Sequence, residues 1–581
     1  KCWKNGYTIL IYKKGDNTDP SNFRPITLQP VLSKILSSLI RNRIYTYLVE
    51  NGYIETNIQK GFWNKLSGVI AHTELLTHMI NHARLKQRQL ILTLLDLKNA
   101  FGEVDHRFLK KILYYHNIPV EIINIIFAYY NDYFVSIGTK DFTTHPISVK
   151  RGVLQGDCLS PLLFNMCMNS LIKCIEEQKI KCMGYTYCES LLPKHWFQFA
   201  DDTTIVSATP EDSQSLLNVF TKWCQWSSLI LRIDKCKTFG MKKNSQTMTQ
   251  FRPYLKISNE MVPTVKIGDS FCYLGKDFSF DMNLGSIKKS LTSLFDHYFE
   301  KLERLPLHPR NKIKIVNTYV YSKIKWFFMI YDVSETWVTN ELDSIVNHFI
   351  KKWLHFHKGA NVKHLYYPVT KFGLELKLPS DILKFSKLSK RNILKNSPNY
   401  EIKQLYLNTR KKFISQDNIL NDKNGKPKSL LNTIISKDID DHMGKLKEQN
   451  TIMKVMKQSC SGVIIKKWTN ICEALPQNIF NFSHKALIYS LPTNANLYRW
   501  KKIENDLCKI CHKSRQTQLH ILNNCNVAAV SGRYLWRHNS VLYSLFYYIS
   551  QLNNYGFKCC VYYSVRTQVF FLVHLDQILF E

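Results

Sequence analysis

Residues 196–207 read Trp-Phe-Gln-Phe-Ala-Asp-Asp-Thr-Thr-Ile-Val-Ser, two adjacent carboxylates, Asp201 and Asp202, set between apolar runs. The pattern predicts strand, tight turn, strand. Alternation along a strand sends neighbouring side chains to opposite faces, so one Asp can face a ligand while the other supports from behind. Turns also favour Asp for local reasons, and an isolated Asp-Asp reads first as a hairpin turn. Upstream, residues 90–95 (Leu-Ile-Leu-Thr-Leu-Leu) predict a short buried strand that ends on Asp96. Two strand-borne carboxylates could therefore meet across one sheet. Ionised Asp beside Phe199 and Ile205 is costly without a counter-charge, which a divalent cation supplies.

Working outward, residues 104–130 show helical periodicity, and Ser160-Pro161 predicts a helix start with Ser as N-cap and the helix continuing to about Glu176. Helix is again expected over 211–230, with short strands at 236–241 and 271–274. This alternation points to an α/β or α+β unit up to about residue 280, α+β being the expected class. From about 284 to 400 the pattern is nearly all helical. The Lys/Asn/Asp-rich stretch 415–428 is the best linker candidate. With 581 residues, the chain is too long for one core.

Lys and Arg number 79 against 45 Asp and Glu, giving a net charge of +34 spread along the chain. That spread suits a long polyanion lying across several domains; AT-biased coding, which enriches Lys and Asn, is the plain alternative. The 16 cysteines have no framework spacing, and Cys167, Cys174 and Cys224 sit singly in apolar segments, as reduced buried thiols do. No uncharged apolar run reaches membrane-spanning length. No targeting signal is visible. The chain begins with Lys1 and reads as a fragment.

Four stretches occur in the order seen in reverse transcriptases: Leu95-Asp96-Leu97-Lys98-Asn99-Ala100-Phe101, residues 151–161 around Gln155-Gly156, Phe199-Ala200-Asp201-Asp202, and Tyr273-Leu274-Gly275. Phe23-Arg24-Pro25-Ile26 and Gln59-Lys60-Gly61-Phe62 upstream resemble the fingers of the same enzymes. Together, in order, these motifs resemble reverse transcriptases; Asn22-Phe23-Arg24-Pro25-Ile26 with Ser33-Lys34-Ile35 and Arg41-Asn42-Arg43, residues 302–309, and the thumb motif Phe372-Gly373-Leu374 resemble their non-LTR retrotransposon branch. The resemblance implies a right-hand polymerase of fingers, palm and thumb, followed by a helical region and a small zinc knuckle. It implies boundaries at 1–280 for fingers and palm, 281–400 for a helical thumb, 401–500 for a helical linker region, 501–530 for the knuckle and 531–581 for the start of an endonuclease-like region.

The same resemblance implies roles residue by residue. Asp96 and Asp201 ligate two Mg²⁺ ions and Asp202 completes the cluster. Two metals roughly 4 Å apart would serve the 3′-hydroxyl and the triphosphate. Phe101 matches the aromatic that packs under the sugar and rejects a 2′-hydroxyl; a core Phe is the alternative. Leu97, Gln155 and Gly156 line the nucleotide, the last two in the loop that abuts base and template. Arg24 falls near the triphosphate, or is a structural ion-pair partner. Lys235 falls where a lysine protonates pyrophosphate, with Lys237 or a plain surface role as alternatives. Tyr273, Leu274 and Gly275 match the primer grip. Gly102 departs from the pattern, standing where an Asp is usual.

Near the C-terminus, Cys508-x2-Cys511-x8-His520-x4-Cys525 offers three thiolates and an imidazole at zinc-ligand spacing. It resembles the knuckle of elements with a restriction-like endonuclease, a context that residues 491–500 and 537–539 also fit. Only 56 residues follow Cys525, with no full acidic cluster, so this chain is expected not to nick DNA alone. The expected function is RNA-directed DNA synthesis from a target-DNA 3′-hydroxyl on the element's RNA with dNTPs, in the nucleus after cytoplasmic assembly. A non-catalytic RNA-binding remnant and an intron-maturase-like protein are the rivals.

Overall fold

The computed structural model describes residues 2–13, 15–64, 66–176, 180, 182–369, 373–409 and 474–552, isolated positions between 432 and 471, and the backbones of 559–564 and 569–574. The expected linker at 415–428 and Phe372 of the thumb motif lie outside the described residues. The chain divides into two units: Lys1–Lys289 with Lys325–Val333 and Leu383–Leu430, and Ser290–Ile324 with Ser334–Ile382 and Leu431–Glu581.

The first unit is α+β. Its central sheet is built from five strands: β3 (Leu90–Leu95), β6 (Trp196–Phe199), β7 (Asp202–Ser207), β8 (Lys237–Asn244) and β9 (Thr247–Phe251). They lie in the order β6-β7-β3-β8-β9, all antiparallel. Period-2 alternation sorts the core. Trp196 and Ile205 join one apolar cluster with the helices Ser160–Ile175 and Pro210–Ser227. Phe197, Val206, Leu90, Leu92, Phe239 and Met241 join another with the helix Gly68–Lys86. The sheet is thus buried on both faces, which explains its nearly continuous apolar strands.

A second sheet was not anticipated. It comprises β1 (Asn5–Tyr12), β2 (Phe23–Leu28), β4 (Phe134–Gly138) and β5 (Ile147–Ser148), in the order β2-β1-β4-β5. The run Tyr7-Thr8-Ile9-Leu10-Ile11-Tyr12 has the β-branched and aromatic character of a strand. Its parallel partner β4 lies more than a hundred residues away and left no local sign.

Several boundaries shift. The expected 104–130 helix is two, His106–Tyr115 and Val120–Tyr130. Asn117 takes a left-handed φ of 52° between them, and Pro119 caps the second. The helix Ser160–Ile175 is capped by Leu159, with Pro161 in its first turn, so Ser160 is its first helical residue and not its N-cap. Cys167 and Cys224 are buried as expected, whereas Cys174 is exposed.

The described part of the second unit is mainly helical. Phe299 stacks on Trp353 at 5.7 Å and 14°, and Phe349 packs beside both. Trp500 stacks on His357 at 4.5 Å. Among the described residues, no helix is long and apolar enough to cross a membrane.

Candidate active site and metal centres

The β6–β7 hairpin pairs Phe199 with Asp202, leaving Ala200-Asp201 as a two-residue turn. Ala200 has φ 54° and Asp201 does not share the left-handed region. This is the pattern of a II′ turn, whose first position usually takes Gly. Leu95 pairs with Thr203, so one further step of the same register brings Asp96 level with Asp202. The Asp96 carbonyl accepts from Arg232 N at 2.9 Å, which fixes the strand end against the 230–232 segment.

Burial raises the Asp96 carboxyl pKa, while the Lys235 and Arg232 charges pull it back. Burial also raises Asp201, with Asp96 adding repulsion and Arg24 and Lys13 opposing it. Asp202 has an exposed outer side. Even so, desolvation by the mass behind it, then repulsion from Asp201 and Asp96, push it up to about 7. The three carboxyl groups therefore share one field that disfavours full ionisation, and their nearest cations offset it only in part. Such an oxygen-rich, under-neutralised cluster fits a hard divalent cation.

Arg24 and Lys235, sought from the sequence, both sit in this field. Arg24 is exposed on β2 opposite Ile11 and acts on Asp201 and Asp202. Lys235 acts on Asp96, whereas Lys237 does not appear among the charges that shift it. Lys13, just beyond β1, was missed as a site residue; its charge reaches Asp96 and Asp201. The basic stretch Lys13-Lys14-Gly15 was its only sequence signal.

Phe101 stacks on Phe164 at 4.3 Å and 14° and meets the edge of exposed Phe62 at 6.2 Å. Gln155 anchors its loop to the first unit's outer sheet through a Thr27 N to Gln155 O bond of 2.7 Å. Gly156 has φ 117°, and a Cβ there would come within 2.4 Å of Thr27 O, so this approach requires glycine. Gly102, the departure from pattern, packs against Gly152, where a Cβ would lie 2.6 Å from the Gly102 carbonyl oxygen. Leu97 is buried in the core, and its backbone bridges Leu231.

The strands Phe271–Tyr273 and Lys276–Phe278 form a hairpin whose turn residues Leu274 and Gly275 both have positive φ, 48° and 76°. That is the I′ geometry. Tyr273 is buried, its hydroxyl bonded to His72 Nδ1 at 3.1 Å. Tyr273 thus anchors the hairpin, with Leu274 and Gly275 at its tip.

In the second unit, one ligand atom from each of Cys508, Cys511, His520 and Cys525 lies within 4.8 Å of the others. Backbone N–H groups of Lys513 and Ser514 hold the Cys511 thiol down to about 6. Ile510 N donates to Cys508 Sγ at 3.4 Å. Tyr534 closes the far side, accepting from Cys525 N and donating to His520 O. Three soft thiolates and an imidazole in tetrahedral reach fit zinc.

Residues 11–275 match the family described as reverse transcriptase (RNA-dependent DNA polymerase). The Pol polyprotein of an R2 type-1 retrotransposable element from Nasonia vitripennis is 25% identical over 545 residues, covering 92% of this chain and 49% of that one. Residues 11–275 are thus a reverse transcriptase domain, and the chain is similar to the polyproteins of non-LTR retrotransposons. A second R2 polyprotein, from Popillia japonica, is 26% identical over 381 residues, 64% of this chain and 51% of the relative. The RNA-directed DNA polymerase from mobile element jockey of Drosophila melanogaster is 23% identical over 334 residues, 55% of this chain and 34% of the relative. The chain spans about half the length of the first two of these relatives. The family match ends at the tip of the Leu274-Gly275 hairpin, so it embraces the acidic cluster and its cations but not the knuckle.

Proposed function

We propose that this chain extends a DNA 3′-hydroxyl on an RNA template, at a nick in the target, by two-metal nucleotidyl transfer. The observation that carries this reading is the convergence of Asp96, Asp201 and Asp202 at one end of the central sheet, ringed by Lys13, Arg24 and Lys235. Bound Mg²⁺ would lower the pKa of the 3′-hydroxyl and take up charge on the leaving pyrophosphate. Asp96 and Asp201 would hold both ions, and Asp202 would add its charge from the neighbouring position. Arg24 would grip the triphosphate with a planar fork and Lys13 would add a point charge. Lys235 would deliver a proton to the departing pyrophosphate. The Phe101 ring, braced by Phe164, would lie under the sugar, and the Gln155-Gly156 backbone against the base. The hairpin tip at Leu274-Gly275 would hold the primer end.

The same reading takes 1–280 as fingers and palm, 281–400 as thumb, 401–500 as a helical linker and 501–530 as a knuckle with one structural Zn²⁺. It takes 531–581 as the start of an endonuclease-like region and places the work in the nucleus. Resemblance of the knuckle to that of endonuclease-bearing elements supports the branch. The test is extension of a nicked DNA duplex by purified protein on a co-supplied RNA. Incorporation that needs the RNA, the nick and dNTPs is the expected result. RNA binding without incorporation would favour the non-catalytic remnant instead.

A further inference from the structure

The turn that carries Asp201 is held from outside its own hairpin. Gln59 is 1% exposed, and its carboxamide lies against Ala200. Its Oε1 accepts from Ala200 N at 2.8 Å and from Gly61 N at 2.9 Å, while its Nε2 donates to Ala200 O at 3.2 Å. A side-chain amide thus pairs with both polar groups of the one residue in a strained left-handed conformation. Gln198 Nε2 adds a second donor to the same carbonyl at 3.2 Å. The Gln59 segment itself is pinned to β6 by Lys60 N to Gln198 O at 2.9 Å, and to the helix Ser160–Ile175 by Asn165 Nδ2 to Gly61 O at 2.8 Å. Gly61 is tight for the same reason, since a Cβ there would come within 2.6 Å of Ala200 N.

A two-residue turn with Ala at a position that prefers Gly has no local reason to stay in this conformation. An L-residue with a side chain is strained at that positive φ, and the clamp supplies the opposing interaction. A metal ligand on such a turn is only as well placed as the peptide that precedes it.

We infer that Gln59 is a positioning residue for the divalent-metal site, fixing the Ala200 peptide so that the Asp201 carboxylate presents at a constant place. The inference rests on Asp201 being a metal ligand, as proposed above. Gln59 touches no substrate; it acts through the turn.

The experiment uses the full chain and Mn²⁺ as a spectroscopic probe, counting bound metal from loss of the free-ion resonance, with melting temperature and dNTP KM recorded in parallel. Gln59→Met keeps the length and removes all three hydrogen bonds. It is expected to weaken Mn²⁺ binding by about 10-fold or more, the usual scale for a residue that orients a ligand, with dNTP KM at saturating metal unchanged. Ala200→Gly, which removes the turn's strain, is expected to restore part of that affinity in the Gln59→Met background. Wild-type Mn²⁺ affinity in Gln59→Met overturns the inference. So does a loss of metal affinity that Ala200→Gly leaves untouched, or one accompanied by a raised dNTP KM and a lowered melting temperature, because either marks a merely structural role. Asp201→Asn separates the two claims: if it binds Mn²⁺ like wild type, the metal reading itself fails, whatever Gln59 does.

Discussion

Glu401 sits on the helix Tyr400–Asn408, yet its carboxylate works two hundred residues upstream. Oε2 accepts from Lys194 Nζ at 2.9 Å and Oε1 from the Tyr187 hydroxyl at 2.8 Å. Lys60, 1% exposed, finds no hydrogen-bond partner for its Nζ among the described residues and draws counter-charge from the same carboxylate and, less strongly, from Glu55. Burial alone would raise the Glu401 pKa; the Lys194 charge and hydrogen bond, then Lys60, outweigh it and leave the carboxyl below its usual range. Burial pushes Lys60 down to about 7. Glu401→Gln keeps shape and the Tyr187 contact but deletes the charge, leaving two buried ammonium groups unmatched. Breaking a buried pair from one side costs about 3–5 kcal/mol.

The sign with pH follows from proton linkage. A depressed Glu pKa stabilises the fold above the unfolded value near 4.5, and that contribution fades as pH falls through the folded pKa. In the variant, Lys60 loses that counter-charge and sheds its proton more readily, so raising the pH from about 7 to about 9 is expected to recover part of the loss. The assay is urea unfolding followed by tryptophan fluorescence, Trp196 being fully buried in the same unit. A loss under about 1 kcal/mol, equal at both pH values, would refute the buried-charge argument.

Phe101→Ala should relax discrimination against ribonucleotides, since the ring stacked on Phe164 would no longer fill the space below the sugar. An increase of about 10- to 100-fold in relative rNTP incorporation is expected, read by comparing kcat/KM for matched dNTP and rNTP. Cys508→Ser should abolish the one expected zinc per chain and lower the melting temperature of the second unit, because structural zinc contributes folding free energy directly; metal analysis checks it, and unchanged zinc content would reject the site. Lys276 is buried between Thr77, at 2.7 Å, and Glu74, at 3.8 Å, with burial lowering its pKa to about 8. A lowered Lys pKa penalises the fold below about 8 and releases that penalty up to the unfolded value near 10.5, so stability should rise across that window; Lys276→Met should flatten the rise in a pH series of melts.

The acidic turn was legible because its information is local: two apolar strands around Asp201-Asp202 leave few alternatives. The end of β3 at Asp96 was legible for the same reason, but not that register would set Asp96 beside Asp202, since strand pairing is non-local. The knuckle was legible from spacing alone, because four ligands at fixed separations need no tertiary context. The bridge from Leu97 to Leu231 was not legible, because no window of sequence contains both. The bond between Tyr273 and His72 was not legible either, since the two lie some two hundred residues apart. Lys13 and Glu401 went unseen because their partners lie far along the chain.

Whether the acidic cluster performs metal-dependent DNA synthesis is decided by single-turnover extension of a DNA primer on a defined RNA template. Wild type is compared with Asp96→Asn, Asp201→Asn and Asp202→Asn, each of which removes charge from the cluster while keeping the side chain's size. Wild type is expected to incorporate nucleotide only with a divalent cation. Asp96→Asn and Asp201→Asn are expected to lose about a thousandfold or more at unchanged melting temperature, and Asp202→Asn to fall less far. Metal-independent incorporation, or wild-type rates in Asp201→Asn, would contradict the assignment.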